Sequence, residues 1–490
     1  MGKAKKTERL KDLLLVVLFF STMLLLYFFW DSPMQTFRLP EIMPDEEEAA
    51  EAPSFHEVTL PEEIIVNFGS GVYTVLNDNE YDAWNRCLAA VNSVSREEAF
   101  AVESITKEQY DRIMEFRSIR FEFAYDIPFD SFCINYQIKN IQNPEQIKIF
   151  NKIGYSAGSG ESIFICDDTN GRYYRLISDV NQASMELLIS EIEAKGYITY
   201  YPMGTVIGTG SKTAVPLSVE TGLSEIEYGH EFNTQDNELL RDFAQNFFGE
   251  SFDFVRRIEE SKGTIIYMYG YGQKILTVSS DGNVEYKEKV IATGVQQDYF
   301  TALNSALQFV AAHGGWSSFS GTEMTPYVKY AAAIEKEKKK GYRFIFGMEV
   351  NGEKLFYEDS EIIVVEIFGG QITYYTRKMI SVDSAAIEQQ GLQTEREAFS
   401  AVNMIAQNYK YLHAVLSNEG YEFKETGDEG LFETVSNLIE YVEIGYVKPV
   451  SNNILKDELI PAWIVMIDGM TVYFDLYDAK PLGYTLLRHP

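Results

Sequence analysis

The sequence predicts an α+β protein: a single N-terminal transmembrane helix followed by several modules of antiparallel sheet, each with a packed helix. Three observations carry that expectation. Leu13 to Trp30 is an apolar run broken only by the uncharged Ser21 and Thr22. From about residue 210 onward, segments of helical period repeatedly precede groups of short apolar strands. Those strands are joined by Asn-Gly, Asp-Gly or Gly-Gly pairs, which favour tight antiparallel hairpins.

At about 1.5 Å of rise per residue the first run reaches roughly 27 Å, close to the thickness of a bilayer's hydrocarbon core. Lys3, Lys5, Lys6, Arg9 and Lys11 precede it against only Glu8 and Asp12, and Asp31 follows. That bias places the N-terminus in the cytoplasm and everything after Trp30 outside the membrane. A cleaved signal peptide is the competing reading, but signal h-regions are shorter and end at small residues. This run ends in Tyr27, Phe28, Phe29 and Trp30, and the nearest A-x-A-like site, Ala50-Glu51-Ala52, lies well beyond it. Within the anchor, Ser21 and Thr22 are candidate contacts with a neighbouring transmembrane helix. The alternative is that each hydroxyl bonds a carbonyl of its own helix.

The rest of the 490-residue chain is long enough for roughly two to four domains. The formal net charge is −31 although the first twelve residues are basic, so the exported part is strongly acidic. Such a surface repels polyanions, which argues against nucleic acid or an anionic wall polymer and leaves proteins, cations or neutral molecules as partners. Cys87, Cys133 and Cys166 are too few for a disulfide framework. Three buried thiols are the favoured reading, with one bridge and a buried thiol as the alternative.

Taken in order, residues 1–30 are the cytoplasmic tail and anchor, and 31–54 an acidic, Pro-punctuated stalk without apolar periodicity. An N-terminal α+β domain covers 55–210. It opens with the runs Ile64 to Phe68 and Val72 to Leu76 around Gly69-Ser70-Gly71, then a helix from Asp78 with Trp84, Leu88 and Val91 on one face. A helix from Lys107 to Phe116 leads into the alternating strand Ile119 to Phe123. Ser162 to Cys166 and Tyr173 to Ile177 bracket a turn, and a helix from Gln182 to Lys195 stops at Gly196. A central helix-plus-sheet module spans 211–296, with a helix from Asn237 to Phe248 and strands Thr264 to Tyr271 and Lys274 to Val278. Residues 297–490 form a C-terminal pair of such modules, led by helices Gln297 to Ala312 and Thr394 to Val415. Their strands are Tyr342 to Val350, Ile362 to Phe368, Ile372 to Arg377, Tyr441 to Val447, Ala462 to Ile467 and Thr471 to Leu476.

The chemistry-bearing patterns are weak. Gly204 to Thr213 approximates a phosphate-binding loop, but Lys212 follows Ser211 where a glycine is required, so a flexible inter-domain loop is the reading. Ser104-Ile105-Thr106-Lys107 matches the S-x-x-K of penicillin-binding enzymes without the S-D-N or K-T-G companions. Thr106 with Gln109 reads instead as a capping box. The five histidines are far apart in sequence, and Gly158-Ser159-Gly160 is only a fragment of a nucleophile elbow. Asp167 and Asp168 read as solvated turn carboxylates, and the tyrosines at 267, 269 and 271 as sheet packing. No catalytic, cofactor or metal site is expected.

Several stretches carry a family resemblance. Gly71 to Leu76 (GVYTVL) followed by Tyr81 and Trp84, Phe121 to Pro128 (FEFAYDIP) and Phe164 to Tyr174 (FICDDTNGRYY) resemble YycH, a membrane-anchored regulator of the WalK/WalR cell-wall two-component system. Gly341 to Phe346 (GYRFIF), Val350-Asn351-Gly352 and Ile460 to Val465 (IPAWIV) with Asp468-Gly469 are similar to the module shared by YycH and YycI, and the last also to PepSY-type domains. The resemblance implies a non-enzymatic regulator whose partners are the sensor histidine kinase and a YycI-like co-regulator in the same membrane. The alternatives are a wall-associated enzyme or a PepSY-like inhibitor or ligand-binding module.

Overall fold

The computed structural model of the chain describes residues 52–69, 71–76, 81–97, 101–157, 162–177, 183–230, 236–291, 296–316, 324–350, 352–358, 360–382, 396–424, 427–449 and 458–486. The expected anchor, with Ser21 and Thr22, and most of the expected stalk lie outside these residues. Among the described residues no helix is long and apolar enough to cross a membrane.

The backbone N–H and the hydroxyl of Ser54 both donate to Glu57 at the start of α1 (Phe55–Val58). A nine-stranded sheet follows, built from β1 (Glu63–Gly69), β2 (Val72–Leu76), β3 (Ala101–Ile105), β4 (Ser118–Pro128), β5 (Ile149–Ser156), β6 (Ser162–Asp167), β7 (Arg172–Ile177), β8 (Tyr200–Pro202) and β9 (Ala214–Pro216). Its spatial order is β3-β7-β6-β5-β4-β1-β2-β8-β9. On one face lie α2 (Ala83–Glu97) and α5 (Ala183–Lys195), with α3 (Lys107–Met114) and α4 (Phe129–Asn135) between strands. Trp84 of α2 is 1% exposed and its ring lies 5.5 Å from Phe121 and 5.3 Å from Phe123. The alternation seen at Ile119 to Phe123 therefore does bury one face of β4 under a helix.

Beyond α6 (Met203–Ile207), β10 (Glu220–Thr221) and β11 (Ile226–His230), helix α7 (Asn237–Phe248) is capped by Asp236, whose carboxylate accepts from Glu238 and Leu239 N–H. Strands β12 (Arg256–Glu259), β13 (Ile265–Tyr269), β14 (Lys274–Val278) and β15 (Asn283–Glu288) form a meander. The Asp298-capped helix α8 (Tyr299–Ala312) precedes β16 (Thr325–Lys336), β17 (Lys339–Val350), β18 (Glu353–Tyr357), β19 (Ile363–Phe368), β20 (Gln371–Lys378) and β21 (Ile380–Val382). The last segment holds β22 (Arg396–Glu397), α9 (Ala401–Asn418), α10 (Asp428–Leu438), β23 (Ile439–Lys448), β24 (Glu458–Ile467), β25 (Met470–Asp475) and β26 (Pro481–Leu486).

These later strands do not close as separate sheets. Among the described residues they are hydrogen-bonded into one 15-stranded sheet, while β10 pairs only with β22. The stitch is β18, which runs antiparallel to β17 on one side and parallel to β23 on the other, with Lys354 opposite Gly445. Parallel pairing of strands so distant in sequence leaves no turn signal, so it was outside what hairpin chemistry predicts. The long β16–β17 hairpin also lacks a glycine turn: Glu337 and Lys338 themselves take positive φ, 53° and 64°. The predicted helix from Thr394 starts instead at Ala401, because Ser400 caps it and Arg396 and Glu397 are in a strand. The segment expected to be a flexible loop, Gly204 to Thr213, contains most of α6. A Cβ at Gly204 would lie 2.3 Å from the Thr209 carbonyl oxygen, and the Thr213 hydroxyl donates to the Ile439 carbonyl.

The two large sheets share one hydrophobic core. Phe55 of α1 packs against both Tyr136 of the first half and Phe300 of α8, and Ser131 hydrogen-bonds Asp298. Replacing Trp84 by alanine removes the largest ring of the first sheet's core. It is expected to lower the unfolding free energy by about 3–5 kcal/mol, read as a lower denaturation midpoint in urea at unchanged slope.

Candidate functional site

The residues singled out by motif do not assemble a catalytic centre. Ser104 lies exposed on strand β3, outside the helix that begins at Lys107, so the two are not one helical turn apart as S-x-x-K chemistry needs. Thr106 accepts from the Gln109 N–H while Gln109 accepts from Thr106 N–H, which is the capping box. Lys212 is an exposed partner of Asp111 at 3.3 Å. Gly158-Ser159-Gly160 lies outside the described residues.

Asp167 and Asp168 are not solvated turn carboxylates as expected. Asp167 is 2% exposed and accepts from the backbone and side chain of Asn170. Asp168 accepts from Tyr173 and sits 3.2 Å from Lys152, which also holds Glu122 at 2.9 Å. Burial opposes charge at Asp168, and Lys152 and the Tyr173 hydroxyl more than offset it, keeping its pKa below the usual aspartate range. Tyr267 is buried as expected, whereas Tyr271 projects from a turn, 99% exposed. The three cysteines form no disulfide; Cys87 and Cys166 are buried and Cys133 half-buried. Among the described residues no group of three His, Cys, Asp or Glu side chains is arranged to hold a metal ion.

What the fold does assemble is a cleft of about 790 Å³ between the two sheets. The first sheet contributes Glu62 and Glu63 at the entry to β1 and the outer strand β2, where β8 pairs only at Tyr73. The second contributes Tyr327 on β16, Glu349 on β17, Glu353 and Lys354 on β18, and Glu443 on β23. The chain reverses between β17 and β18 through Gly352, at φ +79°, so that Glu349, Glu353 and Lys354 all line the cleft. Gly347 has a related role: a Cβ there would sit 2.2 Å from the Tyr327 ring. Three stretches of the sequence resemblance also converge here, through Thr74 to Leu76 with Tyr81, Gly352 and Trp463.

Lys354 is the pivot. Its Nζ donates to Glu62 Oε1 at 2.6 Å and Glu443 Oε2 at 2.9 Å, and lies 5.5 Å from the Tyr327 ring centre. The Tyr441 hydroxyl is 2.8 Å from Glu62 and 3.0 Å from Glu443. Burial raises the cost of charge at Glu62, but Lys354 and the hydrogen bonds around it hold this carboxyl below its ordinary pKa. At Glu443 burial prevails and the pKa rises. Glu63, Glu349 and Glu353 have neither ion pair nor hydrogen bond among the described residues. Burial first lifts Glu63 to about 8, Glu353 to about 8 and Glu349 to about 7, with Glu122 adding most at Glu63 and Glu443 at Glu353, while at Glu349 Lys354 pulls the other way. Among the polar groups that converge here are five glutamates, Lys354 and Tyr327.

No family model matches the chain, and no curated protein matches it. The crystal structure of YycH from Bacillus subtilis superposes with a TM-score of 0.54 at 12% identity, covering 86% of this chain and 98% of that one. The fold is YycH-like. A second solved structure, the Bacillus megaterium YpeB C-terminal domain, aligns over 53% of this chain and all of its own at 10% identity, but with a TM-score of 0.25. That alignment carries no argument. The YycH-like fold spans both sheets and hence both walls of the cleft.

The lifted carboxyls predict a pH dependence. The folded chain retains protons on Glu63, Glu349 and Glu353 that the unfolded chain releases near 4.5, so stability falls as pH rises from there through about 8. Facing Glu353 are Glu443, Glu349 and Lys354. The neutral isostere E353Q is expected to melt roughly 2 °C above the parent at about pH 9 and level with it near pH 5. Parallel melting curves for the two proteins across this range would contradict the assignment.

Proposed function

We propose that this chain is a membrane-anchored extracytoplasmic regulator of a WalK-type sensor histidine kinase that controls cell-wall homeostasis, acting by protein–protein contact beside a YycI-like co-regulator. The observation that carries the reading is the YycH-like fold over 86% of the chain, reached independently of the sequence stretches that resemble the same family. The acidic exterior fits protein partners and disfavours nucleic acid. In this reading Leu13 to Trp30 spans the membrane with the N-terminus in the cytoplasm, and Ser21 and Thr22 pack against the kinase's transmembrane helices. The exported body shifts the kinase between signalling states, which requires different affinity for the two. The chain itself is non-catalytic and takes no cofactor.

A ligand-binding module is the second reading, and the cleft is what favours it. The wall-associated enzyme has less support, because Ser104 and Lys107 lie on different elements.

Crosslinking in native membranes is expected to recover the histidine kinase with this chain, and deletion of the gene to alter the wall-stress regulon. Recovery of no kinase together with an unaltered regulon would overturn the proposal.

A further inference from the structure

The cleft between the sheets holds more carboxyl groups than its own cation can pair. Glu62, Glu63, Glu349, Glu353 and Glu443 line it, and Lys354 is the one lysine or arginine among the lining residues. Lys354 is already taken by Glu62 and Glu443. The nearby Lys329 is held by Glu361 at 2.8 Å. Three carboxyls are therefore left facing the cavity without a partner.

A second observation points the same way. Tyr327 is 5% exposed and lines the cleft, yet its hydroxyl has no hydrogen-bond partner among the described residues. The hydroxyl is not among the polar atoms sealed from solvent, so a donor that enters the cleft can pair with it. The remaining walls are apolar and aromatic, with Leu60, Ile64, Tyr197, Ile198, Tyr200 and Ile444 among them. Walls of this kind suit an aliphatic stem, while unpaired carboxyls and an aromatic face suit the cationic group at its end. A metal ion is a poor match, since no three of these side chains are arranged to ligate one.

We propose that the cleft is a binding site for an alkylammonium or alkylguanidinium group, carried either by a lysine or arginine side chain of a peptide or by a free aliphatic amine. The cation sits between Glu63, Glu349 and Glu353, donates to the Tyr327 oxygen as well, and lays its stem along the apolar wall. Because those carboxyls hold protons near neutrality, entry of the cation releases protons to solvent. The site stands apart from the kinase reading and is tested on the chain alone.

The full-length chain in detergent micelles is titrated calorimetrically with acetyl-Gly-Lys-Gly-amide, its arginine and norleucine counterparts, and cadaverine, in two buffers of different ionisation enthalpy. Saturable binding of a cationic probe, absent for norleucine and with a buffer-dependent heat, is the expected result. Cadaverine alone binding assigns the site to free amines; the lysyl or arginyl peptide binding assigns it to peptides. E353Q and E349Q are each expected to weaken binding about tenfold, equivalent to about 1.4 kcal/mol. Asp428→Asn, an exposed acidic position on α10 outside the cleft, is expected to leave binding unchanged. No heat with any cationic probe, equal binding of norleucine, or an equal loss in Asp428→Asn would overturn the proposal.

Discussion

The ammonium of Lys354, held between Glu62 and Glu443, is the contact on which the arrangement of the two sheets turns. Glu62 leads into the nine-stranded sheet, while Lys354 and Glu443 belong to the parallel pair that stitches the second sheet together. A cation withdrawn from water is costly, and an apolar replacement of a whole buried ion group is often no less stable. Such a group contributes geometry more than net stability: Lys354 meets both carboxylates only when β18 lies beside β23 and the entry to β1 lies across them. Shared apolar packing at Phe55, Tyr136 and Phe300 supplies the non-directional adhesion. The ion group fixes which edge faces which, and so sets the cleft.

Much of the fold was legible in the sequence because local chemistry wrote it. Thr106 with Gln109 marked a helix start, and Asp281-Gly282, Gly369-Gly370 and Asp468-Gly469 marked hairpins that the register confirms. Helices 237–248 and 299–312 followed from apolar spacing alone. What stayed hidden was non-local or carried by unusual residues. The β18–β23 pairing has no sequence signature, and the β16–β17 turn is made by Glu337 and Lys338 instead of Asn-Gly. Helix 428–438 is short, and its N-cap position is Gly427, which supplies no side-chain cap to mark its start.

The cleft was illegible for the same reason. Its carboxylates come from three separate stretches, around residues 62–63, 349–353 and 443, none of which forms a motif. A signal did exist: Glu353 and Lys354 directly follow the Asn351-Gly352 pair in sequence, and Glu443 lies within a largely buried strand. Charges inside runs that bury both faces demand a partner or a ligand. Conversely, the patterns that looked chemical, S-x-x-K and the glycine-rich Gly204 to Thr213, proved to be a helix cap and a tight packing element. For a chain read as a regulator this division is coherent, since contact requires a shaped, charged surface and no reacting constellation.

The central claim is that Glu62 and Lys354 couple the two sheets directly. A double-mutant cycle on Glu62→Gln and Lys354→Met, with unfolding free energies measured in urea, isolates that coupling. An interaction energy of about 1–3 kcal/mol is predicted, and additivity within about 0.5 kcal/mol would contradict it.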